Sequence, residues 1–167
     1  MRKLLIDIHN YLKNLSTIKF IITIVIFTYI IFIPLIPIFY LYEKYIGSMG
    51  GANSIISLSL LSKILVITIL APILETLIFQ YGVIEILSLI KYFKGKNIKL
   101  IIISALIFGV IHNYSLIYIF FGFTIGLLLA YSYILYKNKD FSAFWVVFWI
   151  HCIRNFISFL LDFIPLD

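Results

Sequence analysis

The chain has 167 residues, of which 63% are hydrophobic and 12% are charged. A soluble domain carries about 25% charged residues, so too few charges are present here to cover a water-exposed globule. The net charge of +6 does not indicate a nucleic-acid binder, because no continuous basic face with base-reading groups is visible.

Ten of the 13 Lys and Arg fall in three places: Arg2, Lys3, Lys13 and Lys19 near the N-terminus, Lys91, Lys94, Lys96 and Lys99 in one loop, and Lys137 and Lys139 in another. Basic residues in short loops beside membrane spans mark the cytoplasmic side. The single cysteine, Cys152, has no internal disulfide partner and reads as a small apolar filler.

Residues 1–19 place Leu4, Leu5, Ile8, Tyr11, Leu12 and Leu15 on one helical face, with Lys3, Asp7, Asn10 and Lys13 opposite. That pattern suits a helix lying in the headgroup region, with His9 facing water. The apolar run from about Phe20 to Tyr42 is too long for a signal-peptide core and lacks a small-residue cleavage site. It reads as a first span kinked by Pro34 and Pro37. The loop Glu43 to Asn53, with Gly50 and Gly51, precedes a short apolar piece. A second span covers about Lys63 to Ile90 and is interrupted by Pro72, Glu75, Gln80 and Glu85. Beyond the basic loop come a short third span, about Leu100 to Asn113, and a fourth, about Ser115 to Tyr136. The fifth runs from Phe141 to about Phe163. Gly122 and Gly126, four apart in the fourth, allow another helix to approach closely.

The expected fold is therefore all-α: a polytopic transmembrane bundle of about five spans with an N-terminal interfacial amphipathic helix. It forms one membrane domain over 1–167, with its core at 63–160. The lipid bilayer is the partner that composition dictates, and nucleic acid is not one. Five spans place the N-terminus and both basic loops in the cytoplasm and Asp167 on the opposite side.

A charged group at the bilayer centre costs a few kcal/mol at least, so polar residues there are functional candidates. They are Glu75, Glu85, His112, His151, Arg154 and Asn155, with Gln80 beside them. Counted from the inner helix ends at about 1.5 Å per residue, Glu75, His112, His151 and Asn155 lie about 15 to 22 Å deep, which implies one cluster. His151 and Asn155 are four apart and share a face, as do Phe108 and His112, so that the phenyl ring packs beneath the imidazole. A carboxylate surrounded by hydrocarbon is a stronger base than in water and can deprotonate a water molecule. An imidazole and a carboxamide on one face can donate to a developing oxyanion. Alternatively, Glu75, His112 and His151 would hold a divalent metal such as Zn²⁺ with an open water position.

Three segments carry a resemblance. APILETLIFQYG, SALIFGVIH and WIHCIRNF are similar, in order and spacing, to the Glu-Glu-x-x-x-Arg, Phe-x-x-x-His and His-x-x-x-Asn motifs of the CAAX-protease/bacteriocin-processing (CPBP, or Abi) family of intramembrane metalloproteases. The first motif keeps its leading glutamate, Glu75, and departs at Thr76 and Gln80. The resemblance spans about residues 63–160. It implies that Glu75 activates water with His112 as partner, while His151 and Asn155 stabilise the oxyanion. It also implies an all-α bundle opening toward the cytosol, acting as an endopeptidase on a membrane-associated, prenylated or other peptide substrate. Arg154 is then expected to supply from the fifth span the cation that the family places where Gln80 stands.

Other readings compete. Glu75 as a protonated bridge between helices, His112 as an interfacial residue and His151 with Asn155 as a structural contact describe a non-catalytic scaffold or a bacteriocin self-immunity protein. A Glu/His proton relay describes a small proton-coupled transporter. Arg154 has the alternative of snorkelling to the outer headgroups, and Glu85 is expected to pair with Lys91 or Lys94. Among other intramembrane proteases, none fits: His-Glu-x-x-His, Gly-x-Gly-Asp and Gly-x-Ser-x-Gly are absent from the sequence.

Overall fold

The computed structural model describes residues 2–51 and 57–161. Among them every regular element is helical. Asn53, at the end of the first loop, and the C-terminal Asp167 lie outside the described residues.

Helix α1 (Arg2–Asn14) leaves Leu4, Leu5 and Tyr11 exposed and turns Leu12 into the protein. Its C-terminal end is tied down where Lys139 Nζ donates to the Lys13 carbonyl at 2.8 Å. His9 is exposed, yet its Nδ1 lies 3.0 Å from the Tyr131 hydroxyl, so it has a protein partner as well as water.

Helices α2 (Thr17–Ile30) and α3 (Ile36–Tyr45) form one apolar run, Thr17–Tyr45, joined by a 3-10 turn at Ile33–Leu35. Pro34 and Pro37 each sit in the first turn of a new helical segment, where a missing N–H breaks no helical bond. Helix α4 (Leu60–Leu89) is continuous but contains two π-helical stretches, Val66–Leu70 and Thr76–Gly82, flanking Ala71–Glu75. Helices α5 (Asn97–Ile111), α6 (Leu116–Tyr136) and α7 (Ala143–Leu161) follow. Among the described residues, four helices are long and apolar enough to cross a bilayer: Thr17–Tyr45, Leu60–Leu89, Leu116–Tyr136 and Ala143–Leu161. The fifth, α5, is apolar but shorter. The protein is a polytopic helical bundle.

Its surface is apolar where a soluble protein would be charged. Ile22, Ile26 and Ile30 on α2, Leu74 and Ile78 on α4, and Trp145, Trp149 and Phe156 on α7 all face outward. The interior joins Phe20 and Ile24 of α2, Ile84 of α4, Leu129 of α6 and Val146, Val147 and Ile150 of α7. At the basic end, Glu85 does not meet Lys91 or Lys94. Its Oε2 takes a 2.7 Å ion pair from Lys137, and its Oε1 accepts from the Tyr133 hydroxyl at 2.7 Å. The reason is directional: Glu85 faces α6, which runs parallel to α4 and ends beside it, rather than its own loop.

Helices α5 and α6 approach each other closely. Built onto Gly109, a Cβ would stand 2.8 Å from the Ile119 carbonyl oxygen and 2.8 Å from the Phe123 nitrogen. One on Gly126 would stand 3.0 Å from Ala105 Cα, and one on Gly122 would stand 3.3 Å from Gly109 Cα. The small pair Ala105 and Gly109 thus faces the small pair Gly122 and Gly126, and backbone packs against backbone. This contact holds the C-terminal end of α5 in place. Gly109→Val should therefore lower stability by about 1–3 kcal/mol through overpacking, read as a reduced unfolding midpoint in detergent.

Candidate functional site

A half-open cavity of about 200 Å³ lies between α4, α5, α6 and α7. Glu75, His112, His151, Arg154 and Asn155 all line it, with Phe108 at its wall. The chain thus brings its predicted polar set together from three helices.

Glu75 ends the short α-helical stretch between the two π segments of α4. His112 caps α5, with φ −90° and ψ 47°, so the helix stops at this residue. Its Nδ1 lies 2.6 Å from the Phe108 carbonyl oxygen. A carbonyl only accepts, so Nδ1 carries the hydrogen and Nε2 of the neutral ring keeps its lone pair. That Nε2 faces Glu75 Oε2 at 3.7 Å, and His151 Nε2 lies 3.5 Å from the same oxygen. A carboxylate and an imidazole lone pair are both acceptors, so a shared proton or a bridging water is what reconciles them. The Phe108 ring packs 4.6 Å from the His112 ring and meets His151 edge-on at 5.8 Å, fixing both imidazoles.

Asn155 is held from two sides. Its Nδ2 donates to the Ile67 carbonyl at 3.1 Å, and its Oδ1 accepts from Arg154 Nη1 at 3.1 Å. The first bond has a local cause. Across the π segment the Ala71 N–H reaches back five residues to the Val66 carbonyl. In that register the Ile67 carbonyl falls to residue 72, which is proline and has no N–H. The carboxamide of Asn155 fills the gap.

Arg154 does not snorkel to the outer headgroups. Its guanidinium lines the cavity and lies 4.9 Å from the centre of the Phe121 ring, a cation–π distance. The Tyr29 hydroxyl anchors this part of α7 by donating to the Arg154 carbonyl at 2.7 Å. Among the described residues no carboxylate forms an ion pair with Arg154, and its Nε is buried without a hydrogen-bond partner.

Gln80 is fully buried but does not line the cavity, and neither its Nε2 nor its Oε1 has a partner among the described residues. Thr76 is buried, and its hydroxyl has no partner among the described residues. Sequence reasoning missed Ile67, Phe121 and Tyr29. Only Ile67 had a signal, five residues before Pro72 on a span already marked as polar. No group of three His, Cys, Asp or Glu side chains among the described residues is disposed to hold a metal ion.

The sequence model of the type II CAAX prenyl endopeptidase Rce1-like family matches residues 57–157, which include every residue lining the cavity. The chain belongs to this family. As an Rce1-like family member, it is an integral membrane protein of a protease family. No curated protein and no solved structure matches it.

The Ile67–Asn155 bond gives a sharp test. Asn155→Ala should cost about 0.5–1.5 kcal/mol, since it removes the donor to a part-buried carbonyl. Pro72→Ala returns an N–H to the helix and should recover part of that loss in the double variant, measured as unfolding midpoints in one detergent.

Proposed function

We propose that this protein is an intramembrane endopeptidase in which Glu75 activates water for attack on a peptide carbonyl. The observation that carries this reading is the position of Glu75 Oε2, within 3.7 Å of His112 Nε2 and 3.5 Å of His151 Nε2 in a half-open cavity.

Glu75 takes a proton from a cavity water, and the lone pair of the His112 Nε2 shares it. The hydroxide adds to the carbonyl carbon, and the oxyanion accepts from the second N–H of the Asn155 amide. Asn155 is suited to this because only one of its two hydrogens is used on Ile67. Arg154 lends positive charge to the same space without being neutralised by an ion pair. The C–N bond then breaks as the leaving amine takes up the proton held at Glu75. The walls contributed by Ile67, Phe108, Phe121 and Ile125 suit an apolar side chain or a lipid-bearing residue of the substrate.

Glu75→Gln, His112→Ala and His151→Ala should each lower peptide hydrolysis by about 10²-fold or more, while the protein still inserts. The double variants should be hardly worse than the singles, because members of one catalytic unit are non-additive. Arg154→Gln should lower kcat more than it raises KM. Turnover of membrane peptides, compared by mass spectrometry between wild-type and Glu75→Gln cells, measures the first effect. Unchanged turnover in Glu75→Gln would favour a scaffold or immunity role.

A further inference from the structure

Helix α1 is fastened to the bundle along one edge. Its Leu12 is buried, and His9 Nδ1 lies 3.0 Å from the hydroxyl of Tyr131 on α6. Lys139, in the turn after α6, secures the end of α1 by donating to the Lys13 carbonyl at 2.8 Å. Tyr131 and Lys139 belong to the last turns of α6 and to the turn beyond it, so α1 lies where a spanning helix leaves the hydrocarbon. Tyrosine is favoured at that level of a bilayer. The cavity-lining stretch of α6 ends earlier in the helix, at Ile125.

One flank of α1 has no protein cover. Leu4, Ile8 and Tyr11, spaced four and three apart, form a stripe whose members are 61%, 38% and 59% exposed. Lys3, Asp7 and Asn10 lie on the other side of the helix and are exposed as well. An apolar stripe opposite a polar one, at the end of a membrane bundle, buries itself in the boundary between headgroups and acyl chains.

Charge decides which lipid suits this surface. Lys139 is half-buried, with its Nζ 4.2 Å from the centre of the Tyr136 ring and 6.0 Å from that of Phe20 on α2. Partial burial and the Lys13 ammonium beside it both hold Lys139 below the usual lysine range. Lys13 is exposed, and so is Lys19, the neighbour of Phe20 in the chain. Among the described residues no carboxylate pairs with any of these three lysines. Crowded ammonium groups without a counter-charge favour an anion supplied from outside.

We infer that α1 and the α6–α7 turn form a docking surface for anionic phospholipid, with Leu4, Ile8 and Tyr11 in the acyl boundary and Lys13, Lys19 and Lys139 on headgroup phosphate. Inorganic phosphate shares the headgroup chemistry but leaves the apolar stripe bare. A zwitterionic lipid covers the stripe but brings its own positive charge to the lysines. Anionic lipid meets both demands at once, and it joins α1, the start of α2 and the α6–α7 turn across one surface. Helix α1 and Lys19 lie outside the residues matched by the family model, and the surface does not depend on the hydrolytic reading.

The test is the thermal unfolding midpoint of the full-length protein in a neutral detergent, with dioleoylphosphatidylglycerol, dioleoylphosphatidylcholine or inorganic phosphate added. A ligand of the folded state raises the midpoint with its concentration. Expected is a rise with phosphatidylglycerol that exceeds the effect of the other two. Lys13→Gln should reduce that rise, and Lys13→Gln with Lys139→Gln should remove it. Lys13→Gln leaves the Lys139 bond in place, because that bond is to the backbone, so one folded variant remains to be read if the double variant fails to fold. Lys91→Gln with Lys94→Gln, in the other basic turn, should keep the full rise. An equal rise with inorganic phosphate makes this a free-anion site and overturns the proposal. So does an equal rise with phosphatidylcholine, no rise with phosphatidylglycerol, or a full rise in Lys13→Gln.

Discussion

A backbone carbonyl in hydrocarbon must find a donor, because no water is there to supply one. Pro72 creates that problem inside α4 by withholding the N–H that the π register assigns to Ile67. Asn155 resolves it from α7. One bond thus joins the helix that carries Glu75 to the helix that carries His151 and Arg154. Since His151 lies one turn before Asn155, fixing the carboxamide also fixes which way the imidazole faces. The α5–α6 contact does the corresponding work for His112. With Gly109 against Gly122 and Ala105 against Gly126, α5 has no freedom to slide without backbone collision. The irregular stretches of α4 are the means by which the cavity is tied together, and π segments of this kind recur at functional sites.

The first motif shows how a buried charge can be removed without unbalancing its surroundings. Where the family pattern has a second glutamate and an arginine, this chain has Thr76 and Gln80, both fully buried. Losing one partner of a buried ion pair leaves an uncompensated charge, which costs several kcal/mol. Losing both leaves the net charge unchanged and exchanges ion solvation for the smaller cost of two poorly satisfied neutral groups. The orphaned amide of Gln80 and hydroxyl of Thr76 are that smaller cost. What remains in the cavity is one carboxylate, Glu75, and one guanidinium, Arg154, on facing helices.

Much of this was legible in the sequence, because isolated polar residues in apolar spans are few and costly. Glu75, His112, His151 and Asn155 stood out for that reason, and matched depths pointed to one cluster. Helical spacing correctly paired Phe108 with His112. What the sequence left open depended on partners far away in the chain. Arg154 had two equally local outcomes, and the choice is set by the Phe121 ring and the Tyr29 hydroxyl on other helices. Glu85 was matched to the nearest lysines in sequence, whereas its partner Lys137 lies at the end of a neighbouring parallel helix, α6. Gly122 and Gly126 advertised a close approach, but their counterparts Ala105 and Gly109 are common residues that only the packed structure singles out.

The shortness of α5 connects the fold to the chemistry. Its 15 residues span about 22 Å at 1.5 Å each, well under the roughly 30 Å of hydrocarbon in a bilayer. The helix stops at His112, whose backbone leaves the helical region, and the chain turns back within the thickness of the membrane. A helix end strands carbonyls. Here the Phe108 carbonyl accepts from the ring of His112, and the Gly109 carbonyl accepts from its backbone N–H. Non-helical backbone at membrane depth is tolerated only where protein or water surrounds it. A short α5 therefore leaves space beside Glu75 for the water molecule that the proposed hydrolysis needs. The same residue that ends the helix also presents its Nε2 to the Glu75 carboxylate, so one position in the sequence sets both the helix end and the imidazole that faces Glu75.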